Sequence, residues 1–156
     1  MIINLLKLLN EETLDYEFRL FQDDLVGYED EYLGKPDEAG VLVKGSIKKL
    51  KQNEFLIRFT LNGVIVYPCA RCLDPTPVDS IFDFEDVIET DVGTETINLV
   101  PYASECLFIN EPFKVLCDEE CKGLCPSCGA NLNHEECSCE GPSDIDPRME
   151  ALKKLL

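Results

Sequence analysis

The chain has 156 residues, enough to bury one hydrophobic core, and 31 acidic against 14 basic residues set its formal net charge at −17. That balance excludes nonspecific binding to nucleic acid or to an anionic membrane surface through bulk charge. A single histidine, no Ser-His-Asp set and no phosphate-binding glycine loop argue against familiar hydrolytic and nucleotide chemistry.

Met1 to Leu9 is apolar but short, lacks a basic leader and runs into Asn10-Glu11-Glu12, so it is not read as a signal peptide. No stretch reaches transmembrane length, and the expectation is a soluble, cytoplasmic protein. Leu5, Leu6, Leu8 and Leu9 form a small apolar patch, one helical turn or an edge segment. Leu14 to Phe21 alternates apolar and charged residues as a strand does. Gln22 to Gly40 is acidic, punctuated by Gly27, Gly34 and Pro36, and reads as a long loop.

From Val41 onward the pattern is β. Val41–Leu50 is one strand, Lys51-Gln52-Asn53 a turn, and Phe55, Ile57, Phe59 and Leu61 alternate through the next strand. Asn62-Gly63 is expected to be a tight turn or a bulge before extended structure resumes at Val64 to Tyr67. Val78 to Ile88 gives a further strand, and the short connections predict an antiparallel meander. One helix is expected where Leu99, Tyr102, Ala103, Cys106 and Leu107 recur at helical spacing, with Asn98 as N-cap and Glu111-Pro112 as its end. Cys106 lies on that stripe and reads as a buried core thiol. At the far end, Asp146 and Pro147 suit a helix start, and Met149, Leu152, Leu155 and Leu156 share one helical face.

The densest chemistry lies between Cys117 and Cys139, where six of the nine cysteines fall. Cys125-Pro126-Ser127-Cys128-Gly129 is a turn that aims two thiolates at one point, and Cys137-Ser138-Cys139 supplies two more. Four thiolates suit zinc in a closed, structural site, so Cys125, Cys128, Cys137 and Cys139 form the first predicted ligand set. Free surface thiols and a disulfide framework are the competing readings. The remaining thiols apart from Cys106 predict a second set, Cys69, Cys72, Cys117 and Cys121, joining the tail to the sheet. His134 could replace one sulfur, but is read as a surface loop residue. Cys69-Ala70-Arg71-Cys72 could instead be a redox pair, yet Pro75 and Pro77 follow where a helix would be needed to lower a thiol pKa.

Extended sequence leading into Cys69-Ala70-Arg71-Cys72-Leu73-Asp74-Pro75 resembles the YceD family, the large ribosomal RNA subunit accumulation proteins. Leu116-Cys117, the run Cys121 to Asn133, and the closing Asp146-Pro147-Arg148 are similar to the cysteine-rich tail of its bacterial members. The resemblance implies a non-enzymatic factor in ribosome biogenesis, with no catalytic residues to carry over and no small-molecule substrate. Its partner would be large-subunit ribosomal RNA or a basic ribosomal protein.

Charge distribution offers a candidate surface for each partner. Residues 41–68 carry Lys44, Lys48, Lys49, Lys51 and Arg58 against Glu54 alone, a basic hairpin able to contact RNA phosphates, although a solvated strand face looks the same. Residues 74–113 carry ten acids and no Lys or Arg, among them Asp83, Glu85, Asp86 and Glu89. The expected fold is α+β: an antiparallel sheet meander with one covering helix in residues 1–113, then a zinc-knuckle tail with a short helix in 114–156. Alternatives are a zinc-stabilised interaction adaptor unrelated to ribosomes and a thiol oxidoreductase using Cys69 and Cys72.

Overall fold

A computed structural model describes residues 1–9, 11–25 and 33–139 of the chain. The expected helix over 146–156 lies outside the described residues. Among the described residues, seven strands and one α-helix run in the order β1 (Ile2–Asn4), β2 (Thr13–Leu20), β3 (Lys35–Pro36), β4 (Val41–Lys49), β5 (Glu54–Pro68), β6 (Pro75–Glu89), β7 (Thr96–Asn98) and α1 (Val100–Ile109). Short 3-10 turns occupy Leu5–Leu9 and Gln22–Asp24.

β5 is the axis of the sheet. β6 pairs antiparallel along its whole length, from Glu54↔Glu89 to Pro68↔Pro75. β4 and then the two residues of β3 share the opposite edge, and β2 closes that side by pairing with β4. The β3 pairing lies inside the stretch read from sequence as loop.

The expected break at Asn62-Gly63 does not occur. Asn62 pairs with both Leu42 and Ile81, and Gly63 continues opposite Ser80. Phe55, Ile57, Phe59, Leu61, Ile65 and Tyr67 are all buried, so the inward parity survives the dipeptide. A bulge would have flipped that parity and a turn would have ended it. Pairing of Asn62 with β4 and β6, and of Gly63 with β6, holds the dipeptide extended.

The buried face of the sheet gathers Leu20, Val41, Val43, Ile47, Ile57 and Leu61. Each such side chain contributes about 1.5–3 kcal/mol on burial. α1 covers this face with Ala103, Cys106 and Leu107, and Tyr102 tilts against Phe84 with ring centroids 6.5 Å apart. Cys106 is buried, as expected, and burial pushes its thiol up to about 11. The N-cap is Leu99 and not the expected Asn98, which stands one residue further out and accepts the Val100 N–H on its Oδ1 at 3.2 Å. The N-terminal patch completes the cover: β1 pairs with β7, and Leu5 and Leu8 turn inward.

Candidate metal centre

The β5–β6 hairpin does not close through an ordinary turn. Its loop is Cys69 to Asp74, in which the Leu73 N–H donates to the Cys69 carbonyl and the Cys69 N–H to the Asp74 carbonyl, both at 2.9 Å. The tail builds the same device: the Gly129 N–H donates to the Cys125 carbonyl at 2.9 Å and the Cys125 N–H to the Ala130 carbonyl at 2.8 Å. Each loop holds two cysteines three apart and places the residue after the second in the left-handed region, Gly129 at φ +75° and Leu73 at φ +63°. Glycine adopts that conformation without penalty, whereas for leucine it costs about 1–2 kcal/mol.

Two four-thiol groups result, Cys69, Cys72, Cys117, Cys121 and Cys125, Cys128, Cys137, Cys139, each with its sulfurs within 4.8 Å of one another. These are the two sets the spacing predicts. Cys69 and Cys121 sulfurs lie 3.8 Å apart and Cys72 and Cys117 sulfurs 3.5 Å; in the tail, Cys128–Cys137 is 3.4 Å and Cys125–Cys137 3.3 Å. Metal–sulfur bonds of about 2.3 Å in a tetrahedron separate the sulfurs by roughly 3.8 Å. A disulfide would bring them to about 2.05 Å. The donor sets therefore fit a metal ion, and all nine cysteines are free thiols.

Backbone amides prepare the sulfurs for negative charge. The N–H groups of Cys117 and Arg71 point at Cys69 Sγ from 3.4 and 3.5 Å, and the Cys139 N–H points at Cys137 Sγ from 3.3 Å. Burial pushes the Cys69 thiol up, but the amides of Cys117, Arg71 and Cys72 together outweigh it and hold the group at about 6. The Cys128 and Ser127 amides likewise bring Cys125 to about 6. Burial drives Cys72 upward, and the neighbouring thiols Cys137 and Cys128 push Cys139 up to about 12. Each set thus has one thiolate ready to take a cation, whose charge then displaces the remaining protons.

The two groups share one framework. Asn133 Oδ1 accepts the Lys122 N–H at 2.8 Å, which turns its Nδ2 onto Cys121 Sγ at 3.2 Å. Asn131 Nδ2 donates to both oxygens of Asp74 at 3.0 and 2.9 Å, and His134 Nε2 meets the same carboxylate at 2.9 Å. His134 therefore stands outside both thiol groups. Arg71 Nη1 donates to the Cys121 carbonyl at 2.8 Å, and the Ala70 N–H donates to Val115, so the hairpin loop grips the tail on two sides. Sequence reasoning missed Arg71, Asp74, Asn131 and Asn133; their only signal was their place inside the cysteine loops.

Three of the five cations of the basic hairpin have carboxylate partners. Lys44 pairs with Glu17 at 3.5 Å, Lys51 with Glu54 at 3.0 Å and Arg58 with Glu85 at 2.5 Å. Lys44, Lys48 and Arg58 share the outer face, whereas Lys49, opposite Phe55, follows the inner parity and Lys51 sits past the strand end. The acidic quartet also divides: Asp83, Glu85 and Glu89 share the outer parity, and Asp86, opposite Ile57, takes the inner one.

Fold and site define a class: an antiparallel sheet protein whose longest hairpin closes in one four-thiol cluster able to hold a metal ion, against which a second such cluster docks. The model of the family "Large ribosomal RNA subunit accumulation protein YceD" matches residues 78–156, and the chain belongs to the YceD family. That match takes in Cys117 to Cys139 and begins after Cys72. The chain is 31% identical over 131 residues to the uncharacterized protein YlbN of Bacillus subtilis (strain 168), covering 74% of each. It is 33% identical over 61 residues to Large ribosomal RNA subunit accumulation protein YCED homolog 1, chloroplastic, of Arabidopsis thaliana, covering 39% of this chain and 19% of that protein. A Mycobacterium tuberculosis (strain ATCC 25618 / H37Rv) protein is 31% identical over 116 residues, covering 65% of this chain and 55% of its own length. No solved structure matches the chain. No helix among the described residues is long and apolar enough to cross a membrane.

Proposed function

We propose that the protein supports accumulation of large-subunit ribosomal RNA as a binding factor, not an enzyme, and that its direct partner is a basic ribosomal protein. Both thiol sets hold zinc in this reading, closed by four sulfurs with no position left for substrate. Zinc bound this way is structural and does no chemistry on a partner. The observation that carries the choice of partner is the ion pairing of Lys44, Lys51 and Arg58, which offsets three of the five positive charges the hairpin could offer to phosphates. Against it stands a chain of net charge −17, which attracts a basic partner and speeds its capture. Burial of Cys69 and Cys72 within a four-thiol group favours ligation over thiol exchange.

Two variants of the zinc-loaded protein separate the readings. Changing Lys44, Lys48, Lys49 and Lys51 to Gln is expected to leave ribosomal RNA levels in cells unchanged. Neutralising Asp83, Glu85, Asp86 and Glu89 is expected to lower both large-subunit RNA and the basic ribosomal protein crosslinked to the chain. The reverse pattern, with a salt slope of RNA binding that flattens by about one unit per lost contact in the lysine variant, would assign RNA as the partner instead.

A further inference from the structure

Among the described residues β6 is bonded along one edge only, to β5. Its even-numbered side of the backbone faces that partner, as the flanking bonds show: the Asp74 carbonyl accepts from Cys69, and the Thr90 N–H donates to Asn53, each at 2.9 Å. The backbone groups of the odd residues therefore point away from the sheet. Pro75 and Pro77 are both odd, and lacking N–H groups they fit there without breaking the ladder. The Val87 N–H, also outward, is satisfied locally by Asp86 Oδ1 at 2.8 Å. Between these guarded ends, Asp79, Ile81, Asp83 and Glu85 present an open row of backbone donors and acceptors.

The side chains along the same edge specify what could pair there. On the inner face Val78, Phe82 and Phe84 are only half-buried, although their partners Ile65, Leu61 and Phe59 are 1%, 1% and 4% exposed. Among the described residues the core is unfinished along this edge. On the outer face stand Asp79, Asp83 and Glu85 with the exposed Ile81. We infer that β6 accepts an added strand from a basic partner, in which apolar residues facing inward complete the layer of Val78, Phe82 and Phe84. Lys or Arg residues facing outward meet Asp79 and Asp83, beside the Arg58–Glu85 pair. Alternation satisfies both faces at once because successive side chains in a strand point to opposite sides. Two copies of this chain pairing edge to edge would set acids opposite acids, so the same charges that admit a basic strand repel a second copy.

This inference rests on the basic-protein reading and names its docking mode. The test uses the full, metal-loaded chain and two synthetic peptides of identical composition, one alternating Val with Lys and one with the same residues in blocks. Binding is followed by fluorescence anisotropy, and exposure of individual amides by hydrogen exchange. The alternating peptide is expected to bind about tenfold tighter and to slow exchange at Asp79, Ile81, Asp83 and Glu85. Ile81→Pro removes an outward N–H that β5 does not use, so it is expected to keep the sheet and metal content while losing about tenfold in affinity. Should Ile81→Pro misfold, Asp79→Lys is expected to weaken the alternating peptide by about threefold with the fold retained. Equal binding of both peptides, or edge amides already protected in the free protein, would overturn the added strand while leaving an acidic surface that holds basic proteins. Failure of both peptides to bind would overturn the basic-protein reading itself.

Discussion

Leu73 shows how much a single residue can say about a loop. Its backbone copies that of Gly129 in the tail loop, but a leucine at φ +63° pays a steric penalty that glycine does not. Its side chain is 51% exposed, so burial offsets little of the penalty. The hydrogen bonds of the hairpin loop, from the Leu73 N–H to the Cys69 carbonyl and from the Cys69 N–H to the Asp74 carbonyl, hold it there. Leu73→Gly is therefore expected to raise stability by about 0.5 kcal/mol, the relief of strain less the extra entropy of an unfolded glycine. The urea midpoint measures it. A drop in the midpoint would mean that the leucine side chain holds something in place.

At the scale of elements, the close approach of β4 to β5 is the most constrained contact. A Cβ added to Gly45 would stand 2.0 Å from the Arg58 carbonyl oxygen and 2.5 Å from Phe59 Cβ, while the Tyr16 hydroxyl donates to that same carbonyl at 3.3 Å. The strands cannot part locally, because β5 is held by β6 along its other edge. Gly45→Ala is expected to cost about 2–3 kcal/mol, at the upper end of overpacking penalties, read as a lower denaturation midpoint. Metal content should not change, since the Cys69 loop lies at the far end of β5. The ends of α1 answer to a different logic. Asn110 Nδ2 donates to the Cys106 carbonyl at 2.8 Å, so the helix closes on a side-chain bond before Pro112 could strain it.

For the whole molecule, the two four-thiol sets differ in what a metal bound there would close. The Cys125 group is local: Cys128 and Cys137 are nine residues apart. The other group joins Cys72 to Cys117 across 45 residues and fastens the tail to the tip of the longest hairpin. By the loop-entropy scale used for cross-links, the long closure constrains the unfolded chain by about 4 kcal/mol and the local one by about 3. Purified protein is expected to carry two zinc ions per chain. Cys125→Ser with Cys128→Ser should release one and leave the sheet folded. Cys69→Ser with Cys72→Ser should release the other and open the segment around Lys114 to protease, with the local site still loaded. Zinc content by mass spectrometry and the cleavage pattern check both. Loss of both ions from either variant would show that the Asp74–Asn131–His134 contacts make the sites one cooperative unit.

Local periodicity and spacing, by themselves, determined strands β2, β4, β5 and β6, the helix though not its ends, which fall at Leu99 and Asn110 and not at Asn98 and Glu111-Pro112, and both cysteine sets. Each of these is encoded over a few residues: alternation marks a half-buried strand, and two cysteines three apart mark a ligand turn whatever surrounds them. Register was not encoded that way. Asn62-Gly63 carries the composition of a turn, and only pairing with β4 and β6 on both sides keeps it extended. The cations of the β4–β5 hairpin are legible in the sequence, but their partners are not: tertiary pairing sets Arg58 opposite Glu85, 27 residues away, and Lys44 opposite Glu17. Likewise, the pairing of β1 with β7, and the meeting of Asp74 with Asn131 and His134, join segments whose sequences carry no mark of each other. Such contacts depend on which strand lies beside which, and that is decided by how the buried faces fit together, not by any local pattern.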